Sequence, residues 1–252
     1  MKSVCLVLSC LVLTTAVFAD SARDAWEGLV KPKQRKDPAY AYVENDPSLP
    51  NVLIYGDSIS IHYTPTVREL LQGKANVYRL YCNGGESASV VGKVSQMQKT
   101  MRDDQLDDPW TFKWDVIQFN VGLHDLKYMK NNKLDVSGEQ VTSLEQYAKN
   151  LRVIIGYLKH VAPEAKLIFV TTTPVPENSS GRKHGDAARY NEVALEVMKD
   201  YPEITVNDLY AFTLPHQQEW WQKPGNVHYA PAGRQAQGKE VAGVIENVLA
   251  QE

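Results

Sequence analysis

The stretch "NVLIYGDSIS", residues 51–60, decides how this chain folds. Val52 to Tyr55 are apolar without alternation, the pattern of a strand buried on both faces of a parallel sheet. The run stops at Gly56 and is followed at once by Asp57 and Ser58. Two readings fit that ending. Asp57 and Ser58 cap a helix, or Ser58 is a nucleophile raised on a sharp strand-to-helix turn, beside a helix N-terminus that favours negative charge.

Similar runs recur along the chain: "NVYRLYC" (76–82), "WDVIQFNVG" (114–122), "KLIFVTTTP" (166–174) and a weaker "ITVND" (204–208). Helical patterns lie between them. In 143–161, Leu144, Tyr147, Leu151, Ile154, Ile155 and Leu158 recur at three and four, with Ser143 placed to cap. A second pattern covers 186–201 with Asp186 as its cap, and a third covers 231–250 with Pro231 in the first turn. This alternation predicts a three-layer α/β/α sandwich around a central parallel sheet of about five strands. Ligands in such folds sit beyond the carboxyl ends of the strands.

The flanks are of another character. Residues 1–19 carry one basic residue, Lys2, an apolar stretch too short for the roughly 20 residues of a spanning helix, and small residues before Asp20. They read as a secretory signal cut after Ala19, which makes the mature protein secreted or periplasmic, without membrane insertion. Lipoprotein attachment through Cys10 is the alternative. Residues 20–50 are polar and broken by "KPKQRKDP" and "ENDPSLP", so they predict an arm wrapped over the surface. Residues 51–252 form one domain, within a size that allows a substantial core. Of 252 residues, 27 are Lys or Arg and 30 are Asp or Glu, for a net charge of −3. That balance points away from nucleic acid and anionic membrane surfaces as partners. Of the three cysteines only Cys82 lies beyond the leader, so no internal disulfide is expected, and no Cys/His spacing suggests a metal.

Four strand-end or late-loop stretches hold the chemistry: "GDSIS" (56–60), "NGGES" (83–87), "GLHDLKY" (122–128) and "GNVHYAPAG" (225–233). A serine nucleophile needs a base, and His228 is the candidate. A tetrahedral oxyanion needs donors, which the Ser58 N–H, an N–H of the Gly84-Gly85 pair and the His124 side chain can supply. Taken singly these are weak signals, because serines cap helices and glycine pairs make turns. Asp57 reads as structural, anchoring its loop. Asp125 and Asp208 read as helix caps or functional acids, and His62, His160, His184 and His216 as surface or loop residues. The order of nucleophile, glycine turn, polar donor and late histidine is what favours catalysis.

With these blocks the sequence resembles the SGNH (GDSL-type) hydrolases, small α/β esterases and lipases without a lid domain, from residue 51 to about 249. The resemblance implies Ser58 as nucleophile, Gly85 and His124 as oxyanion donors with the Ser58 N–H, and His228 as base, with no metal or cofactor. Two departures stand out. His124 replaces the family's asparagine, yet a ring N–H still donates in the right tautomer. The aspartate that the family places three residues before the histidine is here Gly225, followed by Asn226. A main-chain carbonyl (as some members use), Asn226 or an acid from elsewhere must then orient His228. The expected activity is ester hydrolysis through a Ser58 acyl-enzyme. The expected substrate is a small-molecule or carbohydrate ester carrying a short acyl group such as acetyl, with Tyr63, Tyr128, Trp220 and Trp221 as a sugar-binding rim. The rival readings are a catalytically weak or inactive carbohydrate-binding protein on the same fold, and a lipase or thioesterase.

Overall fold

The computed structural model describes residues 20–251, so the leader expected at 1–19 lies outside the described residues. In chain order the elements are α1 (Ala22–Leu29), β1 (Asn51–Tyr55), α2 (Ser58–Leu70), β2 (Asn76–Arg79), α3 (Val90–Met101) and β3 (Val116–Asn120). A small excursion follows, made of β4 (Tyr128–Lys130), β5 (Lys133–Leu134) and β6 (Glu139–Gln140). The chain then runs through α4 (Leu144–Val161), β7 (Lys166–Val170), α5 (Asp186–Met198), β8 (Thr205–Asn207), α6 (Leu209–Thr213), α7 (Gln217–Trp220) and α8 (Pro231–Leu249).

The central sheet has the order β2-β1-β3-β7-β8 and all its pairs are parallel. Every residue of β1 and β3 is buried. Val52, Leu53 and Ile54 are sealed from solvent completely, and each such side chain contributes roughly 1.5–3 kcal/mol. Helices cover both faces, with α2 packed on α8 and α4 on α5. The chain leaves β1 toward β2 on one side and takes up β3 on the other. The order therefore reverses between β1 and β3, which opens a crevice at their carboxyl ends. The expected sandwich is the observed one.

Two local readings differ, and small strands appear where the sequence predicts no element. The helix expected from 186 is capped by Gly185, and Asp186 sits in the first turn, where its carboxylate accepts from the Tyr128 hydroxyl at 2.9 Å. The polar segment after residue 127 is not plain loop. Asn131 and Asn132 take φ of 50° and 60° and join β4 to β5 in a two-residue hairpin, a conformation that asparagine tolerates better than most residues. The 20–50 arm does more than cover the surface. A capping box between Ser21 and Asp24 starts α1, and Trp26 and Tyr40 are buried, the Trp26 indole donating to the Tyr40 carbonyl at 2.8 Å. Isolated aromatics among charged residues leave no periodic signal, so only packing shows their role. Among the described residues no helix is long and apolar enough to cross a membrane.

Candidate active site

The helix cap expected in the opening stretch is observed, and its geometry leaves room for the nucleophile reading beside it. Asp57 is the N-cap of α2, its carboxylate accepting from the Ile59 N–H at 2.9 Å. Ser58 is the first residue of that helix and keeps partial exposure at the crevice. Its own N–H, one of the orphan donors of a helix start, has no partner among the described residues. Beneath the turn lies a fully buried Arg79 from the end of β2. It donates to the carbonyls of Gly56 at 2.9 Å and Asp57 at 3.2 Å, to Ser60 Oγ at 3.0 Å, and to the carbonyls of Leu80 and Cys82 at 2.8 and 2.9 Å. The guanidinium also lies over the Tyr40 ring, 5.0 Å from its centre, so the N-terminal arm backs the support of the Ser58 turn. Gly84 packs against the same turn. Its N–H donates to the Gly56 carbonyl at 2.9 Å, and a Cβ there would sit 2.7 Å from that oxygen.

The Ser58 hydroxyl donates to His228 Nε2 at 2.8 Å, and His228 Nδ1 lies 2.9 Å from Asn226 Oδ1. The backbone N–H of His228 also donates to Asn226 Oδ1, at 3.0 Å. A backbone N–H can only donate, so the amide oxygen and not the amide nitrogen faces the ring. Nδ1 must then carry the proton, which leaves Nε2 free to accept from serine. Of the orienting groups left open by the sequence, the Asn226 side chain is the one in contact. The other acids are engaged elsewhere. Asp125 accepts from the Ser87 N–H and hydroxyl and ties the "GLHD" loop to the "NGGES" loop. Asp208 caps α6 and accepts from Thr171 Oγ1 at 2.9 Å. Gly225 could not stand in as an acid, because its φ is +71° and a Cβ would lie 2.9 Å from the Asn178 carbonyl.

Burial lowers the pKa of His228, and the charges of Arg182 and Arg234 lower it further. Its ring meets His62, one helical turn after Ser58, edge to face at 5.3 Å. Burial chiefly, with help from Arg234, pulls His62 down to about 4, so this neighbour is neutral at working pH and adds no charge against the base. The sequence placed His62 among the incidental histidines; its i+4 spacing from Ser58 was the available signal.

His124 is held in the tautomer an oxyanion donor needs. Lys127 Nζ lies 2.8 Å from His124 Nδ1. A lysine ammonium can only donate, so Nδ1 accepts and Nε2 carries the proton. Burial first, then Lys127 and Arg182, pushes the ring down to about 3, so it stays neutral. Lys127 was not among the sequence candidates, although the spacing His-x-x-Lys shows it. The Gly85 N–H, expected as an oxyanion donor, donates to Asn83 Oδ1 at 3.0 Å and is therefore already engaged. Among the described residues no group of three His, Cys, Asp or Glu side chains comes together as a metal cluster.

The expected aromatic rim does not assemble as drawn. Tyr63 is buried and accepts from Gln118 at 2.9 Å. Trp220 packs against His216 and Phe212, and Tyr128 is tied to Asp186. Trp221 alone lines a wide cavity, together with His184, which bonds the Val175 carbonyl. A separate groove of about 330 Å³ runs past Arg182, Lys223, Asn226 and His228.

Residues 54–236 match the model of the GDSL-like lipase/acylhydrolase family. A stretch of 94 residues is 32% identical to a multidomain esterase of Ruminococcus flavefaciens, spanning 36% of this chain and 10% of that longer protein. The fold is similar to a lipase/acylhydrolase from Enterococcus faecalis, with a TM-score of 0.59 and 17% identity over 79% of this chain and 96% of the other. It is similar also to the acetyl xylan esterase AlAXEase, with a TM-score of 0.59 and 16% identity over 77% and 99%. The two structural likenesses speak for the fold, while the family match covers well over half of the sequence: the chain belongs to the GDSL-like lipase/acylhydrolase family, a family of carboxylic ester hydrolases.

Proposed function

We propose that this protein is an exported serine esterase that removes short acyl groups, acetyl first among them, from carbohydrate. The observation that carries the mechanism is the continuous chain from Ser58 Oγ through His228 to Asn226 Oδ1, at 2.8 and 2.9 Å. Ser58 Oγ attacks the ester carbonyl while its proton passes to His228 Nε2. The oxyanion is met by the N–H groups of Ser58 and Gly85 and by His124 Nε2–H. His228 then gives the proton to the leaving alcohol, and a water activated by the same nitrogen releases the acid and restores Ser58. The neutral Asn226 fixes the ring's tautomer and direction without adding a charge.

A short groove of mixed lining, with Asn178, Ser179 and Ser180 beside the base and Leu134 and Val227 among its apolar residues, supports a small acyl group and a hydroxylated alcohol over a long alkyl chain. The acetyl xylan esterase among similar folds is consistent with that substrate class. Export rests on the "MKSVCLVLSCLVLTTAVFA" leader. The test is a panel of soluble esters of increasing acyl length together with acetylated oligosaccharides, with a serine-directed phosphonate probe on the same preparation. Acetyl release and labelling that both vanish in Ser58→Ala are the expected result. Labelling unchanged in that variant would overturn the nucleophile, and a preference for long chains would overturn the substrate.

A further inference from the structure

The charges around the nucleophile do not balance. Arg79, Lys127 and Arg182 all act on one carboxylate, that of Asp57, which is sealed beneath the helix start. Arg79 and Lys127 have clear duties, the first holding the turn's carbonyls and the second fixing His124. Arg182 has none of that kind. Its Nε donates to the Leu123 carbonyl at 3.0 Å, which fixes the plane of the guanidinium. Its two terminal nitrogens have no hydrogen-bond or ion-pair partner among the described residues, and they are not sealed from solvent.

Arg182 lines the same groove as His228 and Asn226, and Lys223 lines it too. No Asp or Glu lines that groove; Glu177 and Glu219 line the adjoining cavity and not this one. Placing a half-buried, unpaired guanidinium beside a catalytic base has a cost. Desolvation of the charge is unfavourable, and its field opposes the imidazolium that His228 must become. A fixed, planar, unpaired fork of N–H donors at the mouth of a site is matched by an oxyanion taken bidentately, a carboxylate or a phosphate-like group. On a carbohydrate substrate the carboxylate of a uronic acid is the commoner of the two.

We propose that Arg182, assisted by Lys223, binds a carboxylate carried by the substrate, so that the favoured substrates are acyl esters of acidic sugars, with the acylated hydroxyl and the carboxylate on the same or adjoining residues. This deepens the esterase reading and rests on it for the hydrolytic step, but the anion site can be measured without turnover. Ser58→Ala protein is titrated calorimetrically with oligogalacturonate, its neutral methyl ester and a sulfated neutral oligosaccharide. Binding of the uronate at least tenfold tighter than its methyl ester, and weakened at least tenfold by adding Arg182→Gln, is expected, with Arg182→Lys between the two. In protein with Ser58 intact, the ratio of kcat/KM for acetylated oligogalacturonate over acetylated xylo-oligosaccharide should exceed ten and fall at least tenfold in Arg182→Gln. Equal binding of acid and methyl ester, or a preference unmoved by Arg182→Gln, would overturn the anion site. Tighter binding of the sulfated sugar would overturn the carboxylate assignment. Uronate binding without hydrolysis of any ester would support the site and overturn the esterase reading instead.

Discussion

Asn226→Asp puts a carboxylate against Nδ1 of the proposed base, His228. The exchange is nearly isosteric, and the acceptor oxygen already lies 2.9 Å from His228 Nδ1 and 3.0 Å from its backbone N–H. Unscreened by solvent, a full charge some 3.5 Å from the imidazolium at an effective dielectric of about 20 is worth about 5 kcal/mol. Both residues are partly exposed, and the new carboxylate loses hydration, so a quarter to a half of that survives. What survives, about 1.2–2.5 kcal/mol, is a shift of about 1–2 pH units. The sign follows from the base's role. His228 works neutral, so activity is lost as pH falls through its pKa, which burial, Arg182 and Arg234 now hold below the ordinary histidine value. The carboxylate raises that pKa, so the acidic limb of kcat/KM moves upward by about 1–2 units. Turnover should fall at pH 5 and rise up to about tenfold at pH 8, where the better-stabilised imidazolium lowers the barrier. The assay is a pair of pH–rate profiles on one soluble ester with a non-ionising leaving group. An unmoved limb in a folded variant would refute the claim that Asn226 Oδ1 orients the working base. Gly225→Asp, which restores the acid at the family's position, should instead destabilise the protein, because a side chain there meets the Asn178 carbonyl at φ +71°.

Ser58→Ala should abolish ester hydrolysis and leave the melting temperature within a few degrees of the parent, since only a partly exposed hydroxyl is lost; parent-level turnover would refute its role. His124→Ala should reduce kcat by about 10²–10³, the usual cost of one oxyanion donor, while His124→Asn keeps most activity; an alanine variant with full kcat would remove His124 from the hole. Lys127→Met should lower kcat by freeing the His124 tautomer, and its KM for a small neutral ester should stay near the parent's; a change in KM alone would contradict that assignment. Arg79→Ala should cost about 3 kcal/mol or more by denaturant unfolding, because it removes five buried hydrogen bonds and takes from the Leu80 and Cys82 carbonyls the donor they have; a loss under 1 kcal/mol would refute the support it is given.

The runs at 51–56, 114–122 and 166–174 announced buried parallel strands by themselves, because a strand covered on both faces has no polar period to hide it. That Ser58 and His228 are a candidate pair was legible for a related reason, and the fold brings the two side chains within 2.8 Å. They sit at strand and loop ends, where the fold class itself says that ligands bind, and each is marked by a motif within a few residues. Local sequence also sufficed for Ser143 at the start of α4 and Pro231 at the start of α8. Tertiary structure alone decided what those residues touch. Whether a carbonyl, Asn226 or a distant acid holds His228 depends on the direction of one side chain in a seven-residue loop, which no pattern encodes. Arg79 reads as a misplaced charge in a strand until the carbonyls of the nucleophile turn surround it. His62 looked incidental and Trp26 drew no reading, because their partners, His228 and Trp110, are far away in sequence and adjacent only in space. Propensity and hydrophobic period are properties of a short window and survive in one dimension. Hydrogen-bond partnership, tautomer and pKa are set by groups that the fold alone brings within a few ångströms.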